Sequence, residues 1–150
     1  MGYIPGGGLF PSAIGDFLAG ISNRYSGVAF AGPGAARMEL GLVNWMRQLV
    51  GYPETAAGDL TSGGSTATLS AMVTARDARG IDFQAIPTAC IYLTEQVHHC
   101  IDKALHVAGL KDVQKRVVPM DDRFRMDVAA LKDMIETDLE QGLAPWMVAA

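Results

Sequence analysis

The sequence is poor in the features that mark several protein classes. It has only two cysteines in 150 residues, which is too few for a disulfide framework, and they are too isolated for a zinc site. We expect Cys90, in a strand-like run, and Cys100, in a helix-like run, to be inert packing residues. No apolar run approaches the roughly 18 residues needed to span a bilayer, and the N-terminus has no signal-peptide pattern. The sequence therefore predicts a cytoplasmic protein without a membrane partner.

Basic charge is also scarce and scattered. The net charge is −4, and the 12 lysines and arginines form no stripe along the chain, so we expect no nucleic-acid partner. Apolar residues make up 49% of the sequence and the mean hydropathy is +0.18. This composition is enough for one compact globular domain, or for part of a larger one.

Three helices are predicted in the first half of the chain. A glycine- and proline-rich loop at residues 2–11 precedes a helix that Ser12 caps. The second helix is amphipathic and ends before Gly51, which can supply a left-handed C′ residue. The third runs from about residue 65 to 79 and stops at Gly80.

The second half alternates strands and helices. Strand-like runs at 89–94, 114–118 and 145–150 are separated by a helix at 95–108 and by another that Asp127 caps. This βαβαβ order predicts a mainly parallel sheet covered by helices, with right-handed crossovers. Because the last strand runs to Ala150, we expect the sequence to be a segment of a longer protein.

The stretch TSGGSTATL at residues 61–69 is the first candidate site. Unpaired N–H groups at a helix N-terminus, next to glycines that allow close approach, form a natural seat for an anion. A phosphate is the anion we expect. The alternative is an ordinary tight turn in which Ser65 is the N-cap.

The second candidate site is the segment 94–99, where a strand leads into a helix. His98 is predicted in the first turn of that helix, where its ring could stack on a flat ligand beyond the carboxyl ends of the strands. The alternative is that His98, His99 and His106 are solvated or capping residues. A metal site built on His98 and Asp102 lacks a third ligand nearby.

Three motif matches are poor. Residues 63–67 imitate the G-x-S-x-G nucleophile elbow, but no buried strand precedes them, and no acid followed at domain-scale distance by a histidine completes a triad. Gly32-Pro33-Gly34 resembles a dinucleotide fingerprint in which Arg37 replaces the third small residue. No Gly-Lys-Ser/Thr sequence is present, which disfavours a P-loop.

Four longer segments, taken in order, resemble one family. They are GYIPGGGLFPSAIGDFLA, YSGVAFAGPGAARMELGLVNWM, GYPETAAGDLTSGGSTATL and LTEQVHHCIDKA. Together they are similar to the pyridoxal-phosphate-dependent group II amino-acid decarboxylases, which include aromatic-L-amino-acid and glutamate-type members. The resemblance covers essentially all 150 residues. It implies an α/β fold, the first part of the large domain of the aspartate-aminotransferase-like type I fold.

The resemblance assigns roles to the two candidate sites. Gly64, Ser65 and Thr66 match the family segment that grips the phosphate of pyridoxal 5′-phosphate. His98 matches the catalytic histidine that stacks over the pyridine ring and lies near the substrate carboxylate. Tyr3, Ile4 and Pro5 match a stretch that lines the substrate side-chain pocket, with simple loop packing as the alternative for these three residues.

The resemblance also implies a reaction and an assembly. Family members remove the carboxylate of an L-amino acid as CO₂, using a lysine that binds the cofactor covalently and an aspartate that keeps the ring nitrogen protonated. They assemble as homodimers. Neither the lysine nor the aspartate segment has a match here, so we expect the isolated chain to be inactive.

The chain is therefore interpreted as a partial cofactor-binding domain. It has a substrate-side loop at 1–11, helices with the phosphate segment at 12–85, and the βαβαβ unit at 86–150. Three alternatives stay open: a noncatalytic remnant that keeps a phosphate-binding or dimerising surface, a hydrolase built on Ser65, and a relative that cleaves other carbon–carbon or carbon–sulfur bonds.

Overall fold

The computed structural model describes residues 8–150. They divide into two compact units, the first ending at Leu60 and the second spanning Thr61–Ala150. The substrate-pocket residues predicted at positions 3–5 lie outside the described residues, so their role stays a prediction.

The first unit contains two helices, α1 at Phe10–Ser22 and α2 at Pro33–Leu49. The predicted cap at Ser12 is wrong, because α1 already begins at Phe10 and has Leu9 at its N-cap. Proline in a first helical turn is tolerated, since the N–H that it lacks would have no partner there. Pro11 is therefore part of α1 and not of a loop. The predicted end of α2 is confirmed, with Gly51 at a φ of 74°.

Gly32 shapes the turn between α1 and α2. It is buried, and its N–H donates to the carbonyl of Val28 at 3.0 Å. A Cβ added at this position would lie 2.0 Å from the carbonyl oxygen of Tyr25. Only glycine allows the backbone to pass itself this closely.

The second unit has the predicted βαβαβ order after its first helix. The sheet has the order β2-β1-β3, and both strand pairs are parallel. Its elements are α3 (Gly64–Arg79), β1 (Ala89–Leu93), α4 (Cys100–Val107), β2 (Gln114–Val117), α5 (Val128–Glu140) and β3 (Ala144–Ala149).

The central strand β1 is buried along its whole length. Successive residues of a strand point to opposite faces of the sheet. On one face Ile91 packs in a cluster with Met72 of α3 and Leu105 of α4. On the other face Tyr92 joins a cluster against which residues of α5 pack. The sheet is therefore covered by helices on both faces, which confirms the predicted α/β class.

None of the helices within residues 8–150 is both long enough and apolar enough to cross a bilayer.

We predict opposite effects for two glycine substitutions in the first unit. Gly32→Ala should lower the free energy of unfolding by about 1–3 kcal/mol, because the new methyl group collides with backbone that cannot move aside. Gly34→Ala, in the first turn of α2, meets open space and should raise it by up to about 1 kcal/mol through helix propensity. Urea unfolding of both variants measures this. Equal destabilisation by the two substitutions would contradict the close approach at Gly32.

Candidate phosphate and cofactor site

The N-terminus of α3 presents backbone donors. Gly63 is the N-cap, and its carbonyl accepts from the N–H groups of Thr66 at 3.1 Å and Ala67 at 3.0 Å. The hydroxyl of Thr61 donates to the same carbonyl at 3.0 Å, which orders the preceding bend. The N–H groups of Gly64 and Ser65 come first in the helix and have no intrahelical acceptor. Ser65 lies inside the helix, so the alternative in which it is the N-cap is wrong.

The donor set at this helix end fits a phosphate. Within residues 8–150, no side chain caps α3, and a Cβ added at Gly63 or Gly64 would meet nothing within 4 Å. The hydroxyls of Ser65 and Thr66 are exposed beside the two backbone donors. Together with the partial positive charge of the helix end, these groups match the acceptor oxygens and negative charge of a phosphate monoester.

His98 lies before α4 and not in its first turn. The predicted helix start at residue 95 is wrong, because a turn closed by the Val97 N–H on the Thr94 carbonyl at 3.2 Å precedes a helix that begins at Cys100. Nδ1 of His98 accepts a hydrogen bond from the backbone N–H of Cys100 at 3.1 Å. His98 thus caps the first N–H of α4, as one of the sequence alternatives proposed. Its ring centroid lies 4.0 Å from that of His99.

The structure brings the two candidate segments together. Oγ1 of Thr68, one turn after Ser65 on α3, lies 3.6 Å from Sγ of Cys100. Below this contact the two helices share one apolar cluster, which includes Met72 and Leu105. The phosphate segment and the His98 turn therefore belong to one region of the second unit.

An open cleft of about 810 Å³ adjoins the carboxyl ends of β1 and β2. Its lining includes Glu95, Gln96, Asp121, Asp122 and Phe124. Three carboxylates would repel an anion. The phosphate seat is therefore better placed at the N-terminus of α3 than in this cleft.

Other candidate chemistry receives no support. Across the described part of the chain, no group of three His, Cys, Asp or Glu side chains could hold a metal ion, and Asp102 instead pairs with Nζ of Lys115. The chain before Ser65 is irregular, as residues 57–61 show, whereas a nucleophile elbow follows a strand. The four lysines are all exposed, at positions 103, 111, 115 and 132.

A buried polar network is the feature that sequence reasoning missed. Asp138 of α5 is 3% exposed and accepts from the Tyr92 hydroxyl at 2.7 Å. The guanidinium of Arg116 donates to the same carboxylate through Nε at 3.0 Å and an Nη at 2.9 Å. The network ties β1 and β2 to α5.

The network shifts the pKa values of its members. Hydrogen bonds from Arg116 hold the pKa of Asp138 below its usual value, against the effect of burial. Burial, followed by the hydrogen bond to Asp138, raises the pKa of Tyr92. Burial also raises the pKa of the neighbouring Cys90 thiol, which agrees with a packing role for this residue.

The structure pairs Tyr92 and Arg116 directly in the register of β1 and β2, so their side chains share one face of the sheet. The sequence itself carried a signal only for the third member of the network. Asp138 follows Leu131 by seven residues and therefore lies on the apolar face of α5. A carboxylate buried on such a face needs a cation beside it.

An α/β unit with a helix N-terminus of this kind is compatible with phosphate binding, and comparison with known proteins identifies the family. The model of one family, described as the pyridoxal-dependent decarboxylase conserved domain, matches residues 1–150. The chain therefore belongs to the pyridoxal-dependent decarboxylase family.

Individual relatives agree. The chain is 35% identical to an aromatic-L-amino-acid decarboxylase of Bacillus atrophaeus, over 100% of the chain and 31% of that protein. It is 30% identical to a histidine decarboxylase of Mus musculus, over 99% of the chain and 25% of that protein. The crystal structure of Oryza sativa TDC with PLP and tryptamine superposes with a TM-score of 0.81 at 25% identity, over 96% of this chain and 32% of that one. The chain thus spans a third or less of the length of these relatives.

We predict that Asp138 makes the fold sensitive to acid. A carboxyl whose pKa is lower in the folded state stabilises the fold fully above its unfolded pKa of about 3.9, and this contribution is lost as the pH falls through the lowered folded pKa. Asp138→Asn should cost about 3 kcal/mol of unfolding free energy at pH 7, since it breaks a buried ion pair. The difference from wild type should shrink towards pH 3.

Urea unfolding at a series of pH values measures this difference. Asp133→Asn, at an exposed position on the same helix, is the matched control and should change little. Asp121, whose pKa is lowered by hydrogen bonds from Arg125, is present in every variant and cancels from the comparison. A gap between wild type and Asp138→Asn that stays constant from pH 7 to 3 would refute the charge-based role.

Proposed function

We propose that this chain forms the phosphate- and ring-binding part of a pyridoxal-phosphate-dependent enzyme that decarboxylates an L-amino acid to its amine and CO₂. One observation carries the proposal: the family match covers the whole chain, and the segment that the resemblance assigns to the phosphate forms a helix N-terminus without a side-chain cap in the described structure. The remaining assignments rest on the resemblance, and the geometry of the described residues supports part of them.

Gly64, Ser65 and Thr66 are proposed to hold the cofactor phosphate. The N–H groups of Gly64 and Ser65 donate along the axis of α3, and the hydroxyls of Ser65 and Thr66 donate from the side. Charge-assisted hydrogen bonds of this kind are about twice as strong as neutral ones. Binding of the phosphate would anchor the cofactor at one end, and its ring could then contact the turn before α4.

His98 is proposed as the catalytic residue that stacks on the cofactor ring. Bound pyridoxal phosphate supplies an electron sink for the pair of electrons left at Cα when CO₂ departs. The planar imidazole covers one face of the ring and excludes water from it. The hydrogen bond from Cys100 leaves Nε2 as the ring nitrogen available to the substrate carboxylate.

The remaining parts of the proposal concern the whole protein. The lysine and the aspartate that the resemblance implies would come from sequence other than these 150 residues. Tyr3, Ile4 and Pro5 would contact the amino-acid side chain. We expect a cytoplasmic homodimer that acts on a small amino acid.

A noncatalytic phosphate-binding protein is the second candidate. It applies if no other sequence supplies the cofactor lysine, because the four lysines of these 150 residues are all exposed. The two candidates differ in whether the full-length protein releases CO₂ from amino acids when pyridoxal phosphate is added. Release from any L-amino acid of a panel that includes aromatic, histidine and acidic members supports the decarboxylase, and no release from the panel supports the noncatalytic candidate.

We predict that Ser65→Ala weakens the binding of pyridoxal phosphate by about tenfold or more, since it removes a hydrogen bond to a charged group. Equilibrium dialysis of the chain with pyridoxal phosphate, and in parallel with pyridoxal, measures this. The substitution should leave the weaker binding of pyridoxal unchanged, because pyridoxal lacks the phosphate. Ser70→Ala, at an exposed position further along α3, is the control. An equal loss of affinity for pyridoxal phosphate and for pyridoxal would mean that Ser65 does not bind the phosphate.

We predict that His98→Phe retains more cofactor affinity than His98→Ala, because phenylalanine keeps a flat ring for stacking, worth about 0.5–1.5 kcal/mol. In the full-length protein both variants should lose CO₂ release, since neither has a ring nitrogen. The same dialysis and a CO₂ assay check the two halves of this prediction. Identical affinities for the two variants would argue against stacking.

A further inference from the structure

The backbone hydrogen bond from Cys100 decides which nitrogen of His98 carries the proton. An imidazole nitrogen that accepts a hydrogen bond has no proton of its own. With Nδ1 accepting from the Cys100 N–H at 3.1 Å, the neutral ring carries its proton on Nε2. This N–H is the first of α4 and has no acceptor within the helix, so His98 supplies the acceptor that it lacks.

The side chain of Cys100 is held in turn by α3. Cys100 is half-buried, and its thiol makes a hydrogen-bond contact of 3.6 Å with the Thr68 hydroxyl, in which either group can donate. Thr68 follows Ser65 by three residues and Gly64 by four, which places it on the same face of α3 as the phosphate segment. A short chain of contacts therefore runs from the phosphate segment through Thr68 and Cys100 to His98.

Packing beneath this chain of contacts makes it rigid. Leu69 of α3 and Ile101 of α4, each adjacent in sequence to one member of the contact pair, join the apolar cluster around Met72 and Leu105. A hydroxyl and a thiol that meet above a packed interface lose little further entropy in making their contact. The contact between Thr68 and Cys100 can therefore fix the distance between α3 and α4 at this point, which loops alone would leave variable.

We propose that Thr68 and Cys100 are positioning residues that hold His98 in its Nε2-protonated tautomer, at a fixed place relative to the N-terminus of α3. The consequence for chemistry rests on the proposed function: Nε2–H would donate to an oxygen of the bound amino acid, while Gly64, Ser65 and Thr66 would hold the phosphate. In this proposal Thr68 and Cys100 act through the histidine.

The hydrogen bond from Cys100 is tested by a matched pair of substitutions at the exposed His98. The amide oxygen of His98→Asn can occupy the place of Nδ1, whereas the longer His98→Gln places its amide near Nε2. Hydrogen exchange of the Cys100 amide, followed by NMR in the 150-residue chain without cofactor, should be slow in wild type and His98→Asn. In His98→Gln it should be about tenfold faster, as expected for loss of one hydrogen bond. Equal exchange in the two variants would overturn the assignment.

The contribution of Thr68 is tested by the nitrogen shifts of His98 in ¹⁵N-histidine-labelled chain. Wild type should show the Nε2–H tautomer. Thr68→Val, which removes the hydroxyl and keeps the shape, should shift both ring nitrogens towards a mixture of tautomers, and Thr68→Ser should restore them. Thr74→Val is the control, because among the described residues the Thr74 hydroxyl bonds within α3, to the Ser70 carbonyl at 2.8 Å. Wild-type spectra in Thr68→Val, or equal shifts in Thr74→Val, would overturn the positioning role.

These measurements separate the proposal from the proposed function. The exchange rates and nitrogen shifts need no cofactor, so they stand even if pyridoxal phosphate fails to bind near Ser65. If the cofactor binds and depends on Ser65 while His98→Asn and His98→Gln behave alike, the function survives and the positioning proposal fails.

Discussion

The burial of one short strand on both faces is the constraint on which the second unit depends. β1 pairs with a parallel strand at each edge and is covered by helices above and below. A parallel sheet needs long crossover connections, and these connections supply the helices that cover it. The same geometry sends the carboxyl end of β1 into the turn that carries His98.

The two faces of β1 are stabilised in different ways. On the face of α3 and α4 the contacts are apolar, from Met72 to Leu110. On the face of α5, Tyr92 and Arg116 both donate to the buried carboxylate of Asp138. The apolar face holds α3 and α4 together and so fixes the distance between the phosphate segment and His98. The polar face fixes the angle of α5, because a bidentate ion pair tolerates little displacement.

The candidate site uses helix ends in two ways. Within residues 8–150, the N-terminus of α3 has no side-chain cap, because its N-cap is a glycine. The first donor of α4 is instead occupied by His98. One helix end therefore presents backbone donors without a side-chain cap in the described structure, while the other orients a side chain.

The sequence by itself determined the α/β class, the order of strands and helices along the chain and the ends of α2 and α3, because periodicity and glycine placement are local properties. It also predicted a phosphate segment at residues 61–69, although small and hydroxyl residues before a helix are equally typical of an ordinary N-cap, and this role stays a prediction. Only the tertiary structure decided that α4 begins at Cys100, that Thr68 meets Cys100, and that Asp138 binds Arg116. Each of these depends on residues 20 to 50 positions apart in sequence, or on competition for one backbone donor. The local pattern of the chain does not determine these contacts. The packing of the helices on β1 determines them.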